Sequence, residues 1–297
     1  MIDKLKKISP HILENEPMSN HTSFKIGGNA DMFVSVKSEK ELSEVLVFAR
    51  ENGIVVTVMG NGSNMLVSDK GIRGLVIQIG SEMTDVKIDG ETVWAEAGVL
   101  MSKLASVVLR ENLSGFETLS GIPGTLGGGI YMNAGAYGGE IKDIVSTVTY
   151  IDEQGNMHTV TGKECDFSYR HSIFCDGGKY IVSAELLFRK GDYDEIKAAM
   201  ADYIKRRSDK QPLAMPSAGS TFKRPDGYFA GKLIQDAGLM GYSIGGAAVS
   251  EKHAGFVVNK GGASAKDVLE LINHIQKTVR EKFGVELEPE VRLIGQQ

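Results

Sequence analysis

The sequence predicts an α+β protein of two domains. Short strand-like runs interleaved with a few helical patterns fill the chain to about residue 190. Beyond that point the composition shifts toward helix. Between a helical pattern and a strand pattern lies a glycine-rich run, Gly121-Ile122-Pro123-Gly124-Thr125-Leu126-Gly127-Gly128-Gly129, closing with Asn133-Ala134-Gly135-Ala136-Tyr137-Gly138-Gly139.

The elements follow in order. Residues 31–36 read as a strand. A helix follows, with Ser38 as N-cap and Glu41 three residues later as a capping box. Leu42, Val45, Leu46 and Ala49 make its apolar face, and Gly53 ends it. Residues 54–59 are a buried strand, so the loop Gly60-Asn61-Gly62-Ser63-Asn64 leaves a strand end. Strand patterns recur at 74–79 and 92–97, and 101–111 is helical with Leu104, Val107 and Val108 on one side. Residues 144–151 and 157–161 form a hairpin around Glu153-Gln154-Gly155-Asn156, and 180–189 alternate as a strand. Asp192-Tyr193-Asp194 opens a helix to about Arg207. A last helix runs from Ala265 to Phe283, capped by Ser264, with Leu269, Ile272, Ile275 and Val279 on its buried face.

At 297 residues the chain has room for two domains, and 42% hydrophobic with 24% charged residues is ordinary for a globular protein. A net charge of −5 argues against a nucleic-acid scaffold. Cys165 and Cys175 read as two reduced thiols, no Cys/His spacing suggests a metal, and no apolar run reaches membrane-span length. The expectation is a cytoplasmic protein, with a monomer favoured.

Glycine is costly to order, so its density in the long run needs a reason. Close approach of bare backbone N–H groups to an anion such as a diphosphate is one. The loop at 60–64 repeats the signal, and two such loops suggest one long nucleotide cofactor gripped at two places. The first loop does not match the common dinucleotide fingerprint, which would need Gly where Met65 stands, and the chain has no P-loop motif.

Three further segments carry chemistry. Tyr169-Arg170 offers a fixed cation suited to a carboxylate or phosphate. Ser217-Ala218-Gly219-Ser220-Thr221-Phe222-Lys223-Arg224 offers a hydroxyl in a small-residue turn. Leu287-Glu288-Pro289-Glu290-Val291-Arg292 places a carboxylate on an apolar strand. On spacing alone the plain readings serve better: a surface arginine, a Ser/Gly turn, an edge strand with solvated charges.

Taken together, these segments resemble the UDP-N-acetylenolpyruvoylglucosamine reductase family. The resemblance spans nearly the whole chain: His21-Thr22-Ser23-Phe24-Lys25-Ile26-Gly27-Gly28, the loops at 60–64 and 121–139, Tyr169-Arg170, Gly219-Ser220, Phe229-Ala230-Gly231-Lys232-Leu233-Ile234 and Pro289-Glu290-Val291-Arg292. It implies an FAD-binding part at 1–190, of the vanillyl-alcohol-oxidase/p-cresol-methylhydroxylase type with subdomains of about 1–76 and 77–190, then a substrate domain at 191–297. It implies Arg170, Ser220 and Glu290 as catalytic arginine, proton donor and catalytic glutamate. FAD would be held by Gly60, Asn61, Gly62, Ser63 and Asn64 and by Gly121, Ile122, Pro123, Gly124, Thr125, Gly127, Gly128, Asn133, Gly135 and Ala136.

Tyr169, Arg207 and Lys232 fall to the UDP sugar, and NADPH is the expected hydride donor. Wider relatives attach FAD through a His near the first loop. None stands at 60–64, so the flavin is expected to be non-covalent. Only about seventy residues separate Ser220 from Glu290, which resembles the shorter subfamily. Lys223, Arg224 and Lys232 are candidates to lower the effective pKa of Ser220. The rival readings are an FAD oxidase of the wider fold and a nucleotide-binding sensor without catalysis.

Overall fold

The computed structural model describes residues 2–296. They form two compact units. One takes the chain up to Leu13, Met32–Asn61 and Gly74–Arg207, and the other takes Glu14–Asp31, Gly62–Arg73 and the chain from Ser208 onward. The expected stretches 1–190 and 191–297 do not coincide with these units. The helix after Asp192 stays with the first unit, and two N-terminal segments belong to the second.

In the first unit, helix Glu39–Glu51 begins where Ser38 accepts from the Glu41 N–H and ends before Gly53 at φ +64°. Its capping box is only half made. The Glu41 carboxylate accepts from the Lys37 N–H and the Ser9 hydroxyl instead of turning back to Ser38. Leu42, Val45, Leu46 and Ala49 are buried, with Leu42, Val45 and Leu46 each contributing roughly 1.5–3 kcal/mol. Strand Val56–Met59 then pairs in parallel with Leu75–Gln78.

The larger sheet is antiparallel throughout. Its strand order is Met157–Thr161, Val145–Asp152, Lys179–Leu187, Thr92–Glu96 and Val86–Asp89. Alternation along Lys179–Leu187 puts Val182, Ala184 and Leu186 into a core shared with Leu104, Val108, Phe116 and Ile130. Cys165 lies in that core and burial pushes its thiol up to about 11, while the Cys175 thiol donates to the Tyr131 carbonyl. The two are free thiols, as expected.

In the second unit, helix Ala265–Phe283 has a complete capping box between Ser264 and Asp267 and ends at Gly284 in the left-handed conformation. Its first N–H groups, Ala265 and Lys266, also donate to the Asp69 carboxylate. Val268, Leu271, Ile272, Ile275 and Val279 are buried, while Leu269 is only half-buried. A three-stranded antiparallel sheet joins Ser243–Ile244, Ala247–Val249 and Val257–Asn259. Strand Arg292–Ile294 pairs in parallel with Met65–Val67.

Candidate active site

In the first unit, Gly60 of the first glycine loop lies against Thr125 of the long run. A Cβ on Gly60 would collide with the Thr125 hydroxyl. Thr125 is buried and caps the short helix Leu126–Tyr131 through the Gly128 N–H. Gly124 stands just before it at φ +112°, where side chains are strained.

The glycines of the long run serve different ends. The Leu126 and Gly127 N–H groups donate to the Val99 and Ala97 carbonyls, and the Gly128 and Gly129 N–H groups to Thr125. These groups are therefore not bare, contrary to the expectation from glycine density. Gly127 is a packing residue, since its Cβ would lie 2.9 Å from the Ala97 Cβ. Gly128 is exposed, and the nearest atom to a Cβ there is the Thr125 hydroxyl oxygen at 3.6 Å. Bare N–H groups do lie in the first loop. Among the described residues, Asn61, Gly62 and Asn64 donate no backbone bond to a protein acceptor.

Arg170 is anchored at the far end of the run. Its guanidinium donates to the Gly135 carbonyl at 3.3 Å and lies 5.0 Å from the Tyr169 ring centroid. The Arg170 backbone is left-handed at φ +59°, as are Asn133 at +41° and Tyr137 at +53°. Such strain in non-glycine residues clusters at functional sites. The fully buried Asn133 is a strut. Its NH₂ group donates to Glu140 at 3.1 Å and to the Ser168 carbonyl at 3.0 Å, and its oxygen accepts from the Lys142 N–H. That amide is used within the protein, tying the glycine hairpin to the Arg170 loop. Burial works against the Glu140 charge. Hydrogen bonds from Lys142 and Asn133, with the charges of Lys142 and Arg170, outweigh it and hold the carboxyl below its usual range.

Arg207 lies across Gly121, where a Cβ would stand 2.7 Å from the arginine Cδ. Pro123 and Tyr169 are exposed, and Ile122 and Ala136 are half-buried.

The second unit holds Ser220 and Glu290. Gly219 at φ +77° turns the chain, and Ser220 is exposed. Thr221 is buried and fixed three ways. Its N–H donates to the Gly255 carbonyl, its hydroxyl accepts from the Val257 N–H, and its carbonyl accepts from the Glu290 N–H at 2.8 Å. With the isolated antiparallel bridge between Phe222 and Pro289, this runs the two segments side by side, with Glu290 opposite Thr221 and so one residue from Ser220. Asn64 donates to the Glu290 carbonyl, and the Asn64 carbonyl accepts from the Arg292 N–H.

The cations near Ser220 in sequence have other partners: Lys223 pairs with Glu288, Lys232 with Asp236, and Arg224 lies over the Phe229 ring at 4.1 Å. Nothing here assigns Lys223, Arg224 or Lys232 to lowering the serine pKa, as the sequence suggested.

Ser23 was not singled out from sequence. Its N–H donates to the Gly62 carbonyl and its hydroxyl to the Ser217 carbonyl at 2.7 Å, joining the first loop to the segment before Ser220. The signal was its place in the His21–Gly28 motif, but spacing alone names no partner. His253 was also missed. Its Nδ1 accepts from the Gly255 N–H, and burial lowers its pKa.

A sequence profile described as FAD binding domain matches residues 30–161, and one described as UDP-N-acetylenolpyruvoylglucosamine reductase, C-terminal domain, matches residues 211–294. A reductase of that name from Caldanaerobacter subterraneus subsp. tengcongensis is 52% identical over all of this chain and 99% of its own length. The chain belongs to the UDP-N-acetylenolpyruvoylglucosamine reductase family. The crystal structure of a family member from Thermus caldophilus superposes with a TM-score of 0.82 at 33% identity, covering 96% of this chain and 98% of that one. Alkyldihydroxyacetonephosphate synthase shares the FAD-binding fold alone, with a TM-score of 0.51 at 17% identity over 64% of this chain and 40% of its own. The family assignment thus bears out the fold class expected from sequence.

Proposed function

We propose that this protein reduces the enolpyruvyl group of UDP-N-acetylenolpyruvoylglucosamine to the lactyl group of UDP-N-acetylmuramate, a step in building peptidoglycan precursors. Full-length similarity to relatives named for that substrate carries this reading.

The residues fit a non-covalent FAD. The unpartnered N–H groups of Asn61, Gly62 and Asn64 suit an anionic diphosphate, and the exposed Gly128 leaves room for a ligand to approach the chain closely. No histidine stands in the 60–64 loop to form a covalent link. When bound, FAD would accept a hydride from NADPH and deliver it to C3 of the enolpyruvyl group.

The protein groups handle the charge and the proton. To Arg170 falls the stabilisation of the negative charge that builds on C2 and the substrate carboxylate, a task suited to a guanidinium. Tyr169, beside it, lines the substrate. Ser220 gives a proton to C2, and Glu290 holds the substrate carboxylate by a hydrogen bond when protonated. Residues up to about 190 serve mainly the cofactor, and those beyond serve mainly the substrate. Among the described residues no helix is long and apolar enough to cross a membrane. We read the protein as a cytoplasmic monomer.

The purified protein should be yellow, bleach with NADPH without oxygen, and regain colour with UDP-N-acetylenolpyruvoylglucosamine as the reduced product forms. Acid precipitation should leave the flavin in the supernatant. A colourless protein that takes up no flavin would favour the sensor reading. Bleaching without recovery by the UDP-linked enol ether would favour an oxidase of the wider fold.

Gly128→Val should cut FAD affinity by about tenfold or more while the melting temperature of the flavin-free protein holds or rises. A helical glycine costs about 1 kcal/mol relative to alanine, so a side chain here does not harm the fold. Gly124→Val should also lose flavin, but strain at its positive φ mixes a folding defect into that result. Full flavin content in Gly128→Val would make this glycine a turn residue.

A further inference from the structure

We propose that Arg207, laid across Gly121, is the cation that binds the diphosphate of the flavin dinucleotide, and not a residue of the UDP-sugar site. This rests on the FAD reading above. Arg207 sits in the last turn of helix Tyr193–Lys210, in the stretch between the two matched family segments. Its neighbour Arg206 is exposed, ion-paired with Asp202 at 2.6 Å and stacked over Tyr203. Arg207 differs on each count. It is half-buried, and no carboxylate or hydrogen-bond acceptor engages it among the described residues.

Its side chain does not run to the terminal carbonyls of its own helix. Like other helical side chains it leans back toward the N-terminus, and there it meets Gly121, with Cδ and Nε 2.7 and 3.3 Å from where a Cβ would be. Burial draws its pKa down and only Tyr137 opposes that, yet a guanidinium does not give up its proton. A half-buried cation with no partner has lost hydration without compensation, so an anion belongs beside it.

The surroundings say which anion. Gly121 opens the run whose Thr125 touches Gly60, so the cation stands at the start of the segment that joins both glycine loops. All these contacts are internal to the first compact unit, whereas Lys232, Ser220 and Glu290 belong to the second. A diphosphate also occurs in the UDP sugar and in NADPH, and the test separates the three sources.

Flavin-free full-length protein is titrated with FAD and with riboflavin, following flavin fluorescence. Arg207→Gln should weaken FAD by about 30-fold, the size expected for losing a charge-assisted contact, and riboflavin by less than about threefold. Arg207→Lys should recover part of the loss. Gly121→Ala keeps the charge but puts a methyl group against Cδ, so it should also weaken FAD selectively, and it serves if Arg207→Gln does not fold. In FAD-saturated Arg207→Gln, affinities for the UDP sugar and for NADPH should stay within about threefold of wild type.

FAD affinity unchanged in Arg207→Gln overturns the proposal, as does equal loss of FAD and riboflavin, or loss of UDP-sugar or NADPH affinity with FAD retained. If wild-type protein binds no FAD, the functional reading falls with it. If wild type binds FAD and both variants bind it equally well, only the role of Arg207 falls.

Discussion

Ser220→Ala should slow reoxidation of the reduced flavin by the enolpyruvyl substrate by about 10²-fold or more, leaving flavin reduction by NADPH close to wild type. The fold should tolerate the change. Ser220 is exposed, and the three backbone and hydroxyl bonds that fix this turn belong to Thr221. Exposed substitutions away from such anchors usually move stability by no more than about 0.5 kcal/mol. Ser220→Cys carries a more acidic proton in nearly the same place and should recover part of the rate. Stopped-flow measurement of the two half-reactions decides the matter. A wild-type rate of reoxidation in Ser220→Ala would make Ser220 a turn residue, with another group protonating C2.

Arg170→Ala should show the same asymmetry for a different reason. In the mechanism proposed above, the charge assigned to Arg170 develops on the substrate carboxylate, which takes no part in flavin reduction. Losing such a contact should cost on the order of 2–4 kcal/mol at the transition state, or about 30- to 1,000-fold in rate. The left-handed backbone at Arg170 adds a second readout. Alanine inherits the strain, whereas Arg170→Gly relieves it, so the glycine variant should be as slow as the alanine variant but more thermally stable. Equal losses in both half-reactions would mark a structural arginine.

What the sequence made legible was local. Ser264 with Asp267 three residues on, and Gly284 after the last apolar position, bound a helix because caps act over one turn. The same kind of pattern at Ser38 and Glu41 misled in part, because Ser9 and the Lys37 N–H compete for the Glu41 carboxylate. The pairing of Arg292–Ile294 with Met65–Val67 was not legible, since nothing in either short strand names a partner so distant along the chain. Gly127 and Gly128 are the same letter side by side, yet a Cβ on one would press on Ala97 and on the other would make only an ordinary contact with Thr125. Asn133 looked like a ligand for the cofactor and is consumed as a strut. Arg170, Ser220 and Glu290 came from the ordered family motifs and not from periodicity, which favoured plainer readings for all three.

The interleaving of the two units bears on how this protein can be divided. The chain passes from one unit to the other at 13/14, 31/32, 61/62, 73/74 and 207/208. A gene fragment that starts at Ser208 therefore encodes Arg292–Ile294 without the strand it pairs with, and helix Ala265–Phe283 without the Asp69 carboxylate that caps it. The converse fragment carries Met65–Val67 with no Arg292–Ile294 strand beside it, leaving unpaired backbone of the kind that invites aggregation. Chimaeras that swap the C-terminal part between relatives as a cassette must carry residues 14–31 and 62–73 with it.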